Sequence, residues 1–340
     1  MRKWTMLFLL AGALLMSGCL DGKQKEAGDR EQDVRQENKK YSYTFPLTGK
    51  RTNEPPTRRA AAVVINNHPQ ARPQTGLAAA DIVYEVPVEG NITRFLAIYQ
   101  SEQPETVGPV RSARDYFIDL TKGYNGLFIA HGYSPEARER LLSGEIDELN
   151  GIQYDGKVFK RDPSRKAPHN SYVDFDKMYK KAEERGYSIE GMPDRLHFLN
   201  TITDAGQKAA AIHVNYSSQP AFQAEYKYSP SKKRYERFVG GEQQLDRETK
   251  EPLSASNVFI IEADQRVMDS EGRLEIDLFS GGNAYLLQNG AVHNVEWSNV
   301  DGRILPFKEG TLVGFVKGKT WINIIPASQG LSKMVVLENN

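Results

Sequence analysis

The chain has 340 residues and one cysteine, with 44 lysines and arginines against 44 aspartates and glutamates. This length exceeds a typical single domain and predicts two. The balanced charge lacks the strongly basic footprint of a nucleic-acid-binding protein, so no direct nucleic-acid binding is expected. A single cysteine also excludes an intrachain disulfide, and stability therefore rests on the hydrophobic cores.

The N-terminus predicts a lipoprotein signal peptide over residues 1–18. Two basic residues precede an apolar run of 13 residues, Trp4 to Met16, which is shorter than the roughly 20 residues that span a bilayer. Ser17-Gly18-Cys19 then resembles a lipobox, with Met16 where leucine is usual. After cleavage Cys19 would carry the lipid, palmitate included, and hold the protein on the extracytoplasmic face of the cell membrane. The alternative is an ordinary cleavage site beside a chance cysteine.

Residues 19–40 are nearly all polar, carry charges of both signs and show no hydrophobic period. This composition predicts a disordered tether. A flexible coil of this length has an r.m.s. reach of roughly 25 Å. The tether would therefore lift the folded domains off the membrane.

Residues 41–205 are predicted to form an α/β domain, because short apolar strands alternate with helical segments. A cap at Ser134, followed by a proline, starts a helix that ends near Gly144. An amphipathic helix covers Asp174 to Arg185 and stops at Gly186. The other predicted strands of this domain, outside the hairpin described next, are Ala60–Ile65, Leu127–Ala130 and a segment near Ile152 to Phe159.

The strongest strand pair is a hairpin. Residues 82–86 and 93–99 are rich in β-branched and aromatic residues and flank Gly90-Asn91. A two-residue loop would place Glu85 and Arg94 on one face as diagonal neighbours, which predicts a cross-strand ion pair between them. The proline in the first strand predicts either an edge strand or a bulge.

A helix start follows the hairpin and carries two arginines. Ser112 and Asp115 have the spacing of a capping box, and the helix is predicted to end near Lys122. Arg111 and Arg114 then lie at the positive end of the helix dipole, where a cation is unfavourable unless an anion lies close. Free N–H groups and two guanidinium groups together predict an anion site.

A second interpretation leaves no room for an external anion. Glu85, Glu89 or Asp115 would pair with the two arginines inside the protein, as buried arginines normally require. Glu85 and Glu89 also suggest the two carboxylates of a glycosidase. They lie about 13 Å apart in an extended strand, however, and glycosidase pairs are about 5–9.5 Å apart.

Residues 206–340 differ, since strand-like segments follow one another without a convincing helix. Gln288-Asn289-Gly290 is a strong hairpin turn between two of them. Many short strands with regular turns predict a mainly antiparallel β domain, either a sandwich or a barrel. The fold class expected for the whole chain is therefore mixed α+β.

No motif of a known catalytic type occurs, since both G-x-S-x-G and H-E-x-x-H are missing. Gly314 to Thr320 imitates a phosphate-binding loop, but it has the wrong glycine spacing and lies between two strands. No cofactor and no metal site are predicted, because two histidines without a third ligand at motif spacing are weak evidence for zinc.

The remaining polar candidates are His131, at the end of a buried strand, and His169-Asn170, in a polar loop. Ligands bind beyond the carboxyl ends of strands in α/β folds, and loops often carry function. A purely structural role is the alternative for His131. The candidate ligand-binding residues are Glu85, Arg94, Arg111, Arg114, His131, His169 and Asn170.

Three runs, ARPQTGLAAADIVYE, EGNITRFLAIYQS and GPVRSARDYFIDL, resemble the YerB-like family of bacterial lipoproteins, which carry paired DUF3048 N-terminal and C-terminal domains. APHNSYVDF, NVFII and GKTWINIIP are similar to the same family, so the resemblance covers nearly everything after the tether. It implies a two-domain lipoprotein of a Gram-positive envelope and an association with a PcrA-type DNA helicase. It assigns no catalytic residue.

The expected function is that of a membrane-anchored envelope lipoprotein that binds an anionic envelope ligand or a protein partner and is not an enzyme. One alternative is a cell-wall hydrolase that uses His131 or Glu85. Another is an assembly factor whose β domain binds a protein. A carboxylate within hydrogen-bond reach of His131 would favour the hydrolase, and unpaired arginines would favour binding.

Overall fold

The computed structural model describes residues 42–201 and 206–338. The predicted signal peptide, the lipidation site at Cys19 and the tether lie outside these residues. Among the helices of the described segments, none is both long and apolar enough to cross a bilayer.

The chain up to residue 201 combines strands with helices. Its strands are β1 (Tyr43–Thr44), β2 (Arg51–Thr52), β3 (Ala61–Asn66), β4 (Ile82–Glu89), β5 (Ile92–Tyr99), β6 (Thr106–Val107), β7 (Leu127–Ala130), β8 (Glu148–Asn150), β9 (Phe159–Arg161) and β10 (Ser171–Asp174). Its helices are α1 (Asp115–Lys122), α2 (Pro135–Leu142), α3 (Gly151–Tyr154) and α4 (Phe175–Glu184), with 3-10 turns at Pro69–Ala71 and Leu77–Ala79.

The chain from residue 206 consists mainly of strands. They are β11 (Gln207–Lys208), β12 (Ala211–Asn215), β13 (Gln223–Ser229), β14 (Arg234–Val239), β15 (Glu242–Gln243), β16 (Ser254–Ala255), β17 (Asn257–Ala263), β18 (Gln265–Val267), β19 (Leu274–Ile276), β20 (Gly282–Gln288), β21 (Ala291–Val300), β22 (Arg303–Lys308), β23 (Thr311–Leu312), β24 (Thr320–Pro326) and β25 (Val335–Glu338). A 3-10 turn at Pro220–Phe222 and the short helix α5 (Leu331–Met334) interrupt them.

Helix ends follow the local chemistry. The Ser134 hydroxyl accepts from the amide of Ala137 and caps α2, as the sequence predicts. Asp174 caps α4 in the same way, and Gly186 adopts φ 78° just beyond the end of that helix. The strand predicted near residues 152–159 is wrong, because the Asn150 side chain caps the short helix α3 there and β9 starts only at residue 159.

A 12-stranded sheet runs through both parts of the chain in the order β23-β22-β21-β20-β17-β24-β4-β5-β3-β7-β8, with β11 beside β21. Strand β24 pairs in parallel with β17 on one side and with β4 on the other. Because β24 belongs to the second part and β4 to the first, this pairing joins the two parts in one sheet. Their independence as domains, divided near residue 205, stays a prediction.

Each face of the large sheet is covered by a different layer. On one face packs the six-stranded sheet, ordered β15-β14-β13-β12-β25 with β16 beside β14, so that Tyr226 of that sheet and Trp321 of the large sheet share one core. On the other face pack α1 and α2, whose Phe117 and Leu141 share a second core with Ile98. The predicted α+β class is confirmed, with the sandwich arising where the two sheets stack.

The β4–β5 hairpin turns at Gly90-Asn91 as predicted, and Glu89 pairs with Ile92. The register then shifts by one residue between Pro87 and Glu89, so a bulge occupies β4. The bulge that Pro87 predicted as one of two alternatives is thus confirmed. The alternative prediction of an edge strand is wrong, because β4 lies between β24 and β5.

The bulge changes which side chains share a face. Glu85 pairs with Phe95, whereas Arg94 pairs with Val86, so Glu85 and Arg94 point to opposite sides of the sheet. A one-residue slip reverses every side chain beyond it. The predicted ion pair between Glu85 and Arg94 is therefore wrong.

Candidate functional site

The segment that leads into α1 is extended, not capped. Ala113 donates its amide to the carbonyl of Gly132, which keeps the backbone extended as far as Arg114, the residue that precedes the helix. The hydroxyl of Ser112 donates to the carbonyl of His131 and caps nothing. The predicted capping box is wrong, while the predicted end of the helix at Lys122 is confirmed.

Two buried arginines share the carboxylate of Glu89. Arg94 contacts one carboxylate oxygen at 2.6 Å, and Arg114 binds the other. Arg94 also donates to the carbonyl of Ser112 at 2.8 Å. Burial, and next the neighbouring Arg114, lower the pKa of Arg94 to about 10, although Glu89 opposes the shift. Arg114 is therefore paired inside the protein by Glu89, as the second interpretation of the sequence predicted.

Arg111 differs from both neighbours. Its backbone is fixed on either side, because its amide donates to Val64 and its carbonyl accepts from His131. Its half-buried side chain has no hydrogen bond or ion pair within residues 42–201 and 206–338. Burial lowers its pKa, which Glu89 partly restores and Arg114 lowers further. Arg111 is thus a partly desolvated cation without a direct counter-charge.

Glu85 lies on the other side of the sheet, outside this site. Its carboxylate contacts Arg237 of β14 at 2.7 Å and accepts from Asn67 at 3.0 Å and Thr93 at 2.9 Å. The side chains of Glu85 and Arg237 are 2% and 1% exposed. The sequence grouped Glu85 with Arg111 and His131, and the structure separates them.

Polar residues gather at the carboxyl ends of neighbouring parallel strands. Strand β3 pairs in parallel with β7, and β7 with β8. His68 follows β3, His131 follows β7 directly, and Asn150 ends β8. Asn150 accepts from the amide of Gly132 at 2.9 Å, which fixes the turn after His131. Ligands of α/β sheets bind beyond the carboxyl ends of the strands, so this edge of the sheet is the expected place for a binding site.

His169, from the loop before β10, stacks on His68 with ring centroids 4.7 Å apart and an angle of 20° between the planes. Asn66 lies 2.8 Å from Nδ1 of His169. His131 contacts Ser171 through Nδ1 at 2.7 Å and Arg161 through Nε2 at 2.8 Å. The three imidazoles all lie near Arg111, because its charge acts on the pKa of each of them.

Donor chemistry determines the tautomers. Arginine only donates, so Nε2 of His131 accepts from Arg161 and the proton resides on Nδ1. Asn66 accepts from the amide of His68 through its oxygen, so its amide nitrogen donates to Nδ1 of His169. Nδ1 of His68 accepts from the amide of Gln70. Neutral His68 and His169 thus carry their protons on Nε2, which has no hydrogen-bond partner among the described residues.

The pKa values of all three histidines are lowered. Burial is the largest cause in each case, followed by Arg72 for His68, Arg161 for His131, and the stacked His68 for His169. Arg111 lowers the pKa of every one of them. Neutral imidazoles near a cation can donate hydrogen bonds to an anion without adding to the positive charge.

Asn170 adjoins this group, because its side-chain oxygen accepts from Arg161 at 3.2 Å. Arg161 also forms an ion pair with Asp155 at 2.8 Å. The histidine–arginine cluster is defined here as His68, Arg111, His131, Arg161 and His169. It adjoins Arg94, Arg114 and Asn170, so the structure brings together all predicted site residues except Glu85.

His68, Asn66 and Arg161 were missed from the sequence. A usable signal existed for His68, since it follows the buried strand β3 just as His131 follows β7. Nothing local marks Arg161, whose role depends on the pairing of β9 with β10. Within the described residues, none of the three histidines belongs to a group of three or more metal-ligating side chains.

A separate polar cleft of about 710 Å³ lies beside the Gly318-Lys319 turn. Its three lysines already have partners, since Lys50 and Lys319 both contact Glu102 and Lys232 contacts Glu236. Arg234 donates to the carbonyl of Lys232. Lys319 also donates to the carbonyl of Ala78. The loop that resembles a phosphate site is therefore a connection between two strands, and its Lys319 binds the segments that contain Ala78 and Glu102.

Residues 47–188 match the family described as "Protein of unknown function (DUF3048) N-terminal domain". Residues 212–322 match "Protein of unknown function (DUF3048) C-terminal domain". Together the two matches cover well over half of the chain.

The chain is similar to a protein of Bacillus subtilis (strain 168) that bears the name "Putative lipoprotein YerB". The two are 46% identical over 283 residues, which cover 83% of this chain and 86% of that protein. The crystal structure of YerB from Bacillus subtilis superposes on 88% of this chain and on 100% of its own, with a TM-score of 0.82 and 44% identity.

Proposed function

The chain belongs to the family defined by the paired DUF3048 N-terminal and C-terminal domains, and we propose from this premise that it is a lipid-anchored envelope lipoprotein that binds an anionic ligand at the histidine–arginine cluster. The anchor and the binding site rest on different observations, and each has its own test.

The anchor is supported by the sequence around Cys19 and by the lipoprotein name of the Bacillus subtilis relative. Lipid on Cys19 holds the protein on the extracytoplasmic face of the membrane. Cys19→Ala should release the protein from the membrane fraction or leave an unprocessed precursor. Unchanged lipid labelling of this variant would rule out the anchor.

The binding proposal rests on one observation: Arg111 is half-buried with no direct ion-pair partner among the described residues, while Arg94 and Arg114 already share Glu89. Three guanidinium groups therefore face a single carboxylate. Charged groups that leave water normally gain a partner, because desolvation without one is costly. A bound anion would supply the charge that Arg111 lacks.

The neighbours of Arg111 are suited to an anion. His68 and His169 offer unpartnered Nε2–H donors, and Arg111 can offer a two-pronged guanidinium contact of the kind that phosphate and carboxylate groups accept. No carboxylate of the described residues hydrogen-bonds to any histidine of the cluster. The arrangement therefore favours a negatively charged ligand over a cation.

Melting with and without phosphate, at equal ionic strength, tests this proposal. Phosphate should stabilise the wild-type protein, by about 2.7 kcal/mol at 100 times its Kd. Arg111→Ala should abolish that stabilisation without lowering stability in the absence of phosphate, because it removes a partly desolvated cation that has no direct ion-pair partner. Arg138→Ala is the matched control, since Arg138 is an exposed arginine of α2 outside the cluster. An equal phosphate shift in wild type and Arg111→Ala contradicts the proposal.

A cell-wall hydrolase has less support. The Glu85 carboxylate is occupied by Arg237, Asn67 and Thr93, so it is not free to act as an acid or base. Both ring nitrogens of His131 are engaged, and neither contacts a carboxylate. Association with a PcrA-type helicase stays a proposal from the family resemblance, which co-purification from membranes would test.

A further inference from the structure

A second group of convergent side chains lies on the six-stranded sheet, on elements remote in sequence from the histidine–arginine cluster. Strand β12 runs between β13 and β25. His213 of β12 pairs directly with Glu225 of β13, and Glu338 of β25 pairs with Ala211, two residues before His213. Side chains two residues apart point to the same face of a strand. The three therefore converge from three neighbouring strands.

Their ligating atoms are close together. Nε2 of His213 lies 2.9 Å from a carboxylate oxygen of Glu338 and 3.7 Å from one of Glu225. All three ligating atoms lie within 4.8 Å of one another. The ligands of a tetrahedral zinc ion, bound at about 2.0–2.2 Å, stand roughly 3.3–3.6 Å apart. The observed spacing needs only small side-chain movements to reach that range.

The imidazole of His213 can hydrogen-bond to only one of the two carboxylates beside it. Nε2 of His213 carries at most one hydrogen, so it can donate to only one of the two carboxylates. Lys227 lies 3.0 Å from Glu225 and offsets part of the negative charge. Glu338, whose side chain is 57% exposed, has His213 as its one ion-pair partner within residues 42–201 and 206–338. A divalent cation could bind all three side chains at once.

We propose that His213, Glu225 and Glu338 bind a divalent transition-metal cation of the zinc type, with water completing its coordination. One imidazole nitrogen and two carboxylate oxygens are ligands that zinc accepts, whereas magnesium and calcium prefer oxygen alone. The cation would fasten β25, the last described strand, to β12 and β13. This site is independent of the anion proposed at Arg111.

Calorimetric titration of the purified, EDTA-treated protein with zinc chloride tests the proposal. Wild type should bind one zinc ion at this site. His213→Ala should weaken that binding by more than about 100-fold, because even losing a residue that merely supports a ligand costs about 10–100-fold. Glu338→Gln, a change on an exposed side chain at the end of the described chain, should weaken it without affecting the fold.

Two further variants separate this site from other zinc binding. His68→Ala removes a histidine of the histidine–arginine cluster and should leave the titration unchanged. Lys227→Ala removes the ammonium that competes for Glu225 and should tighten binding. Zinc binding by His213→Ala and Glu338→Gln that equals wild type overturns the proposal. So does loss of binding in His68→Ala alone, since the zinc would then occupy the histidine–arginine cluster.

Discussion

At the scale of single residues, Glu89 carries an unusual share of the electrostatics. Its carboxylate is the counter-charge of both Arg94 and Arg114, whose side chains are 3% and 9% exposed. Glu89→Gln leaves two buried cations unpaired. We expect a loss of roughly 3–5 kcal/mol in the free energy of unfolding, the range for breaking a buried pair. Urea denaturation measures it.

Glu102→Gln is the matched control for that prediction. Glu102 also contacts two cations, Lys50 and Lys319, but its side chain is 48% exposed. Exposed pairs contribute less than about 1 kcal/mol. Equal losses in Glu89→Gln and Glu102→Gln would show that the Glu89 pairs are not effectively buried.

His131 predicts a pH dependence of stability. Burial, and next Arg161, hold its pKa below the ordinary 6.5. As the pH falls past 6.5, His131 of the unfolded chain takes up a proton before His131 of the folded chain does. The stability that neutral His131 contributes is therefore complete above pH 6.5. It is lost as the pH falls from 6.5 to the pKa of His131 in the folded protein. The slope is up to about 1.4 kcal/mol per pH unit.

Unfolding of wild type and His131→Asn between pH 7.5 and 5.5 measures this slope. The difference in stability between them should shrink as the pH falls, because the variant lacks the titrating ring. His68 and His169 remain in both proteins, so their contributions cancel. Parallel profiles would mean that His131 titrates alike in the folded and unfolded chains.

At the scale of elements, the junction of β8 and α3 positions His131. A Cβ at Gly151 would stand 2.1 Å from Nδ1 of His131, and the backbone there does not have a positive φ. Gly151→Ala should therefore displace the imidazole and cost roughly 1–3 kcal/mol, as overpacking does. The NMR signals of the His131 ring should move.

Ile152→Ala, in the same helix, is the control for Gly151→Ala. Ile152 is 56% exposed, so its truncation should change stability by less than about 0.5 kcal/mol. If Gly151→Ala leaves the His131 signals in place, the contact between α3 and the imidazole is looser than the structure indicates.

At the scale of the whole molecule, one buried ion pair joins the two sheets. Arg237 of the six-stranded sheet contacts Glu85 of the large sheet and lies over the rings of Trp321, Phe95 and Tyr226 at 4.9, 5.4 and 5.9 Å. Either Arg237→Met or Glu85→Gln alone leaves one buried charge without its partner. Each should lower the free energy of unfolding by roughly 3–5 kcal/mol.

The double variant Glu85→Gln/Arg237→Met should be more stable than the sum of the two single losses predicts. Glutamine keeps an oxygen for the donors Asn67 and Thr93, and methionine fills an aromatic cage well. A double-mutant cycle by urea denaturation gives the coupling. Strictly additive losses would show that Glu85 and Arg237 do not depend on one another.

The sequence determined what short stretches of chain decide. The cap at Ser134, the stop at Gly186 and the turn at Gly90-Asn91 each depend on a few adjacent residues, and all appear as predicted. The mixed α+β class follows from the same local patterns of strand and helix. The arginines after the hairpin were also recognisable, because their position near a helix start is a local feature.

Tertiary structure decided which charges meet. A one-residue bulge before Glu89 placed Glu85 and Arg94 on opposite faces. Glu85 then found Arg237, a residue 152 positions away, and His169 came to lie on His68. Such pairs depend on strand register and on how the sheets stack, and both are set by the pairing of many strands together. No local pattern encodes them, and the unpaired state of Arg111 is visible only once every other partner has been assigned.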